Sequence, residues 1–82
     1  MHRDRHEIWA EILLLLNWTG INSTKIIYSC NLNSILWKFY YFPVLNGLGL
    51  IEQGEKGFII TRKGKRWLEA WENLRAIERE SL

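Results

Sequence analysis

Apolar positions along the chain change period several times, and each change predicts an element. Ile8, Ile12, Leu15 and Leu16 recur at helical spacing, and Trp9 and Leu13 widen the stripe. This predicts a first helix from Arg3 to Trp18, with Arg3 and Glu7 paired on its outer side. Asn17, Thr19 and Gly20 end it. Asn22-Ser23-Thr24 is a second start signal, and Lys25 to Cys30 reads as a short helix burying Ile26, Ile27 and Cys30. A polar turn, Asn31-Leu32-Asn33-Ser34, leads to the run ILWKFYYF. In that third helix, Leu36, Phe39 and Tyr40 are expected in the core, leaving Ser34, Trp37, Lys38 and Tyr41 outside. Pro43 lacks an N–H for the Phe39 carbonyl, which predicts a kink or stop near Phe42.

The period then shortens. Leu50-Ile51-Glu52-Gln53 reads as a strand, Gly54 to Gly57 as a turn, and Phe58-Ile59-Ile60-Thr61 as the returning strand. Thr61 is the expected N-cap of a last helix running from Arg62 to about Glu80. On that helix Trp67, Trp71 and Leu74 repeat at four and three, and Ala70, Leu74 and Ile77 form a parallel row. A two-stranded hairpin is marginal alone, so it is expected to lie against the helices. Two short helices joined by a tight polar turn, followed by a charged hairpin, form the pattern of a winged helix-turn-helix, whose usual partner is DNA.

Composition narrows the classes. Eighty-two residues make one small domain, and an apolar fraction of 48% with five Trp argues against disorder. The fold class expected is mainly α with a small β-hairpin. Residues 1–61 would form the winged-helix core with its wing at 50–61, and residues 62–82 an added amphipathic, coiled-coil-like dimerisation helix of the same domain. Its interface would be Trp67, Ala70, Trp71, Leu74 and Ile77, because a wing-closed domain leaves their apolar row to a twofold partner, the alternative being that this helix folds back on the first helix within one chain. The lone Cys30, the absence of a leader pattern and the short apolar run from Ile12 to Leu16 favour a cytoplasmic protein with no membrane partner.

Charge adds a location. The formal net charge is only +2, but no acidic residue stands between Glu11 and Glu52, where Lys25 and Lys38 are the charged residues. From Lys56 to Arg66 there are five basic residues and no acid. A surface without carboxylates approaches a phosphate backbone unopposed. The expected DNA-binding residues are Lys25, Asn33, Ser34, Trp37, Lys38, Tyr41, Lys56, Arg62, Lys63 and Arg66. Asn33 and Ser34 would reach base edges, with the cations on phosphates. The alternative is a protein-interaction module built on the aromatic third helix, through Trp37 and Tyr41.

Catalytic patterns are not found. His2 and His6 stand four apart without a completing ligand cluster, so no metal site is expected. Cys30 reads as a small buried hydrophobe, and neither NGLGL nor GEKG precedes the GK[ST] start of a phosphate loop. An enzyme, a cofactor and a small-molecule substrate are therefore not expected.

Three passages carry a family resemblance: Thr24 to Tyr28 with Asn31-Leu32, Leu45 to Ile51 with its Gly49-Leu50-Ile51, and Thr61-Arg62-Lys63-Gly64 with Leu68. Together they resemble the archaeal winged helix-turn-helix DNA-binding proteins, and in particular the dimeric archaeal ten-kilodalton (chromatin-type) family. The resemblance implies duplex DNA binding by a homodimer in transcription regulation or in the nucleoid. Pro43, one extra residue between Asn31 and Gly49, a shortened C-terminal coiled coil and a third helix with a single lysine depart from that family's pattern.

Overall fold

The computed structural model describes residues 4–17 and 20–80. The order is α1 (Arg5–Leu16), α2 (Ser23–Ser29), α3 (Ser34–Leu36), a π-helical turn (Trp37–Tyr41), α4 (Phe42–Gly47), β1 (Ile51–Gly54), β2 (Gly57–Ile60) and α5 (Arg62–Glu80). The Asp4 carboxylate caps α1 by accepting the His6 N–H at 3.0 Å. The expected start at Arg3, its pairing with Glu7, and the roles given to His2, Trp18 and Thr19 lie outside the described residues. Glu7 instead lies 3.4 Å from Arg75 of α5.

The first helix buries more of its circumference than one stripe: Ile8, Trp9, Ala10, Ile12, Leu13 and Leu16 are all in the core. Ile26, Cys30, Leu45, Leu50, Ile51, Phe58 and Leu68 close around it. α5 runs antiparallel to α1, since Glu7 meets Arg75 at one end while Leu14 and Asn17 line a depression with Lys65 and Leu68 at the other. Trp67 and Trp71 stack nearly parallel, with ring centroids 5.9 Å apart, and His6 lies 6.2 Å from both. The two tryptophans are thus half-buried on α1 within the chain, the alternative to their lying wholly in a seam with a partner.

The hairpin is shorter and tighter than expected. Pairing starts at Ile51↔Ile60 and continues to Gly54↔Gly57, so only Glu55 and Lys56 form the turn. Leu50 precedes the strand, buried, with its carbonyl accepting the Thr61 N–H at 3.0 Å. A third, non-local partner stabilises the wing: Ile21 and Phe58 exchange backbone hydrogen bonds of 3.1 and 2.8 Å. This close approach requires Gly57, with φ +127°, because a Cβ there would sit 2.6 Å from the Ile21 carbonyl.

Pro43 does not stop the third helix. The backbone stays helical from Ser34 to Gly47, with Phe42, the residue before proline, at φ −62° and ψ −51°. The turn ahead of Pro43 is widened, and the Phe42 N–H donates to the Trp37 carbonyl five residues back. This π turn shifts the pairing by one residue, so that Pro43 enters in the first turn of α4, where its missing N–H is tolerated.

Candidate nucleic-acid interface

The helix-turn-helix is built from side-chain caps. Asn22 Oδ1 accepts the Lys25 N–H at 2.9 Å and starts α2. That helix ends in a Schellman turn: Asn31 takes a left-handed φ of 53°, and the Leu32 N–H returns 2.9 Å to the Ile27 carbonyl. Asn33 Oδ1 then accepts both the Ile35 N–H (2.8 Å) and the Leu36 N–H (3.3 Å), starting α3. Asn33→Ala should cost about 1 kcal/mol of stability through the lost cap alone, and Asn33→Ser much less. Thermal denaturation of the two variants measures this.

Tyr40 packs against the core and Ser34 and Lys38 are exposed, as expected, but four positions of the third helix are reversed relative to the sequence-based expectation. Trp37 and Tyr41 are 4% and 7% exposed, in the core, whereas Phe39 is 71% exposed and Leu36 half-exposed. Trp37, Tyr41 and Leu45 form a buried row at i, i+4 and i+8, and the wide π turn keeps that row facing inward. The Trp37 ring meets Phe58 of the wing edge-on at 5.4 Å and Phe42 at 5.9 Å. Its part is to lock this helix to the wing. Trp37 and Tyr41, expected on DNA or, in the alternative, on a protein partner, have neither ring on the surface to make such a contact.

The remaining expected contacts are all at the surface. Lys25, Asn33, Ser34 and Lys38 are exposed on or beside the helix-turn-helix, and Lys56 is exposed in the wing turn. The wing turn abuts the entry to α2: the backbone of Lys56 approaches Gly20, and Gly57 approaches the Asn22 nitrogen. Lys56 is therefore near the α2 N-terminus that carries Lys25. Arg62, Lys63 and Arg66 are exposed at the opposite end of the wing strands, on the first turns of α5. At about 3.3 Å per residue, four-residue strands separate the two basic groups by roughly 13 Å. Lys65, absent from the expected set, joins the second group as an exposed residue. The wing itself carries mixed charge, since Glu52 and Glu55 are exposed alongside Lys56.

Thr61 organises the basic end. Its hydroxyl accepts the Gly64 N–H at 3.0 Å and donates to the Gly49 carbonyl, tying the α5 start to the loop after α4. The first turn of α5 holds no acidic residue and several cations, an arrangement its own helix dipole opposes by a few tenths of a kcal/mol per charge. Among the described residues no group of His, Cys, Asp and Glu is placed to hold a metal ion, and no described helix is long and apolar enough to cross a membrane.

Helix, capped helix-turn-helix, hairpin wing and C-terminal helix occur in one continuous order, and residues 2–79 match the family described as Winged helix-turn-helix. The chain belongs to that family. Comparison with curated proteins finds no match. In winged helix-turn-helix terms, α2 is the first helix of the motif, and α3 with the π turn holds the position of the recognition helix in DNA-binding motifs of this kind. Its exposed residues 33–36, 38 and 39 are Asn, Ser, Ile, Leu, Lys and Phe. Ile35 and Phe39 were not among the expected contacts. Ile35 lies in the turn that Asn33 caps and Phe39 in the π turn, and in so apolar a run no local signal marks which of the two faces points outward.

Proposed function

We propose that this winged helix-turn-helix protein binds double-stranded DNA as a homodimer, in transcription regulation or as a chromatin-associated protein of the nucleoid. One observation carries the reading. The capped helix-turn-helix, from α2 through the recognition helix, exposes Lys25 and Lys38 and no carboxylate, with Lys56 at the wing tip beside Glu55 and a basic group, Arg62, Lys63 and Arg66, at the wing base. The recognition helix would enter the major groove, with Asn33 and Ser34 near base edges and Lys25 and Lys38 at phosphates. Lys56 would meet the backbone beyond the wing tip, while Arg62, Lys63 and Arg66 neutralise phosphates at its base. The resemblance to dimeric archaeal DNA-binding proteins supports the same reading. An electrophoretic shift with unrelated duplexes at low and moderate salt tests it. Retarded complexes that weaken as salt rises are expected, and free DNA at every protein concentration would refute it.

The dimer would form through α5. Trp67 and Trp71 are half-buried on α1, but Ala70 is exposed beside them, and Leu74 and Ile77 remain 51% and 60% exposed. His6, Trp67, Ala70, Trp71 and Leu74 line one apolar groove. Leu74→Glu places a charge on this row without disturbing the buried core, and it should shift the protein from dimer to monomer with little loss of monomer stability. Sedimentation of both proteins at micromolar concentration checks it, and a monomeric unmodified chain would remove the dimer from the account.

A further inference from the structure

The recognition helix offers little for hydrogen-bond reading of bases. Asn33 Oδ1 is occupied by two backbone N–H groups, leaving its amide nitrogen as donor. Ser34 contributes one hydroxyl, and Lys38 holds its ammonium 5.5 Å from the centre of the Phe39 ring. The other exposed side chains are apolar. Ile35 is 65% exposed and Phe39 71%, with Leu36 half-exposed between them. Tyr28 of α2, four-fifths exposed, extends the apolar character of this motif. Large apolar groups grouped on a surface mark a contact.

The occupant follows from charge and from the chemistry of the groove. This patch lies within the stretch between Glu11 and Glu52 that holds Lys25 and Lys38 but no carboxylate, so it suits a polyanion. The major-groove edges of the bases are hydrogen-bonding groups, with one apolar exception: the C5-methyl of thymine. We propose that Ile35 and Phe39 read pyrimidine C5-methyl groups, giving the protein a preference for thymine-rich duplexes by apolar contact. Resting on the DNA-binding reading above, this adds the chemical feature of the ligand that is recognised. Because the readers are greasy and few, the preference is for methyl density rather than for one ordered base sequence.

The test uses the full chain and two labelled A·T-rich duplexes, one normal and one with every thymine replaced by uracil. The replacement removes methyls and leaves phosphate charge and base-pairing groups in place. The unmodified protein should bind the thymine duplex tighter, by about fourfold for each methyl it buries. A G·C duplex should gain affinity when its cytosines carry a 5-methyl group. The double variant Ile35→Ala/Phe39→Ala changes only exposed side chains, so it should fold normally while losing both preferences. Circular dichroism confirms the fold. Equal binding of the thymine and uracil duplexes by the unmodified protein overturns the inference, although duplex binding itself stands. Discrimination that survives in the double variant also overturns it, because the methyls would then be read elsewhere. If neither duplex binds at any salt concentration, the DNA-binding reading fails and this inference with it.

Discussion

Gly64→Ala should destabilise the domain by about 1–3 kcal/mol, by forcing a methyl group into space already filled. A Cβ at Gly64 would overlap the carbonyl oxygen of Leu50 and lie 2.7 Å from Cγ1 of Ile60. Neither atom yields easily. Leu50 is buried and its carbonyl is fixed by the Thr61 N–H, while Ile60 is paired in the wing. Relief therefore requires α5 to move off the hairpin, with loss of the Thr61 cap. In a domain of this size each kcal/mol lowers Tm by about 4–8 °C. Gly47 is the matched control: nothing lies within 4 Å of its Cβ position, and it closes a helix. Gly47→Ala should leave stability unchanged or raise it by up to about 1 kcal/mol. Thermal denaturation of both variants decides the matter, and equal midpoints would show that α5 is not keyed to the wing through Gly64.

The same glycine shows why parts of this fold were legible in the sequence. Thr61-Arg62-Lys63-Gly64 announces a capped helix start with local signals only, and the structure realises it with Thr61 as cap. The wing and the Asn22 helix start were also readable, because caps and turns depend on neighbours a few residues away. The recognition helix was misread for a different reason. In ILWKFYYF almost every position is apolar, so several stripes compete and periodicity cannot choose among them. Here the phase is set by the Asn33 cap, the π turn before Pro43 and the contact of Trp37 with Phe58. The last two depend on tertiary packing. Ile21 pairing with Phe58 and Glu7 meeting Arg75 are equally non-local. The basic residues are exposed as charge alone leads one to expect, whereas placing the aromatic residues needs the phase of the helix.

The second large effect concerns the basic groups. Replacing Lys56, Arg62, Lys63 and Arg66 together by Ala should weaken duplex binding uniformly across sequences. The slope of log K against log salt should fall by roughly one unit for each phosphate contact removed, counted in both protomers of a dimer. All four side chains are exposed, so the variant should retain the stability of the parent chain. Lys65→Ala, added to the set, should lower the slope further if the whole start of α5 faces the backbone. Binding isotherms at several salt concentrations give both numbers. An unchanged slope would place the phosphate contacts on other residues, and Lys25 and Lys38 would be the next to replace.

The proposed DNA binding fixes where a duplex must sit. Titrating labelled protein with a short duplex and following backbone amide resonances locates it residue by residue. Perturbations are expected at residues 23–25, at 33–39, in the wing turn at 55–56 and at 62–66, with the outer half of α5 beyond Glu72 affected little. Perturbations confined to α1 and the outer half of α5, or an unchanged spectrum at saturating duplex, would contradict it.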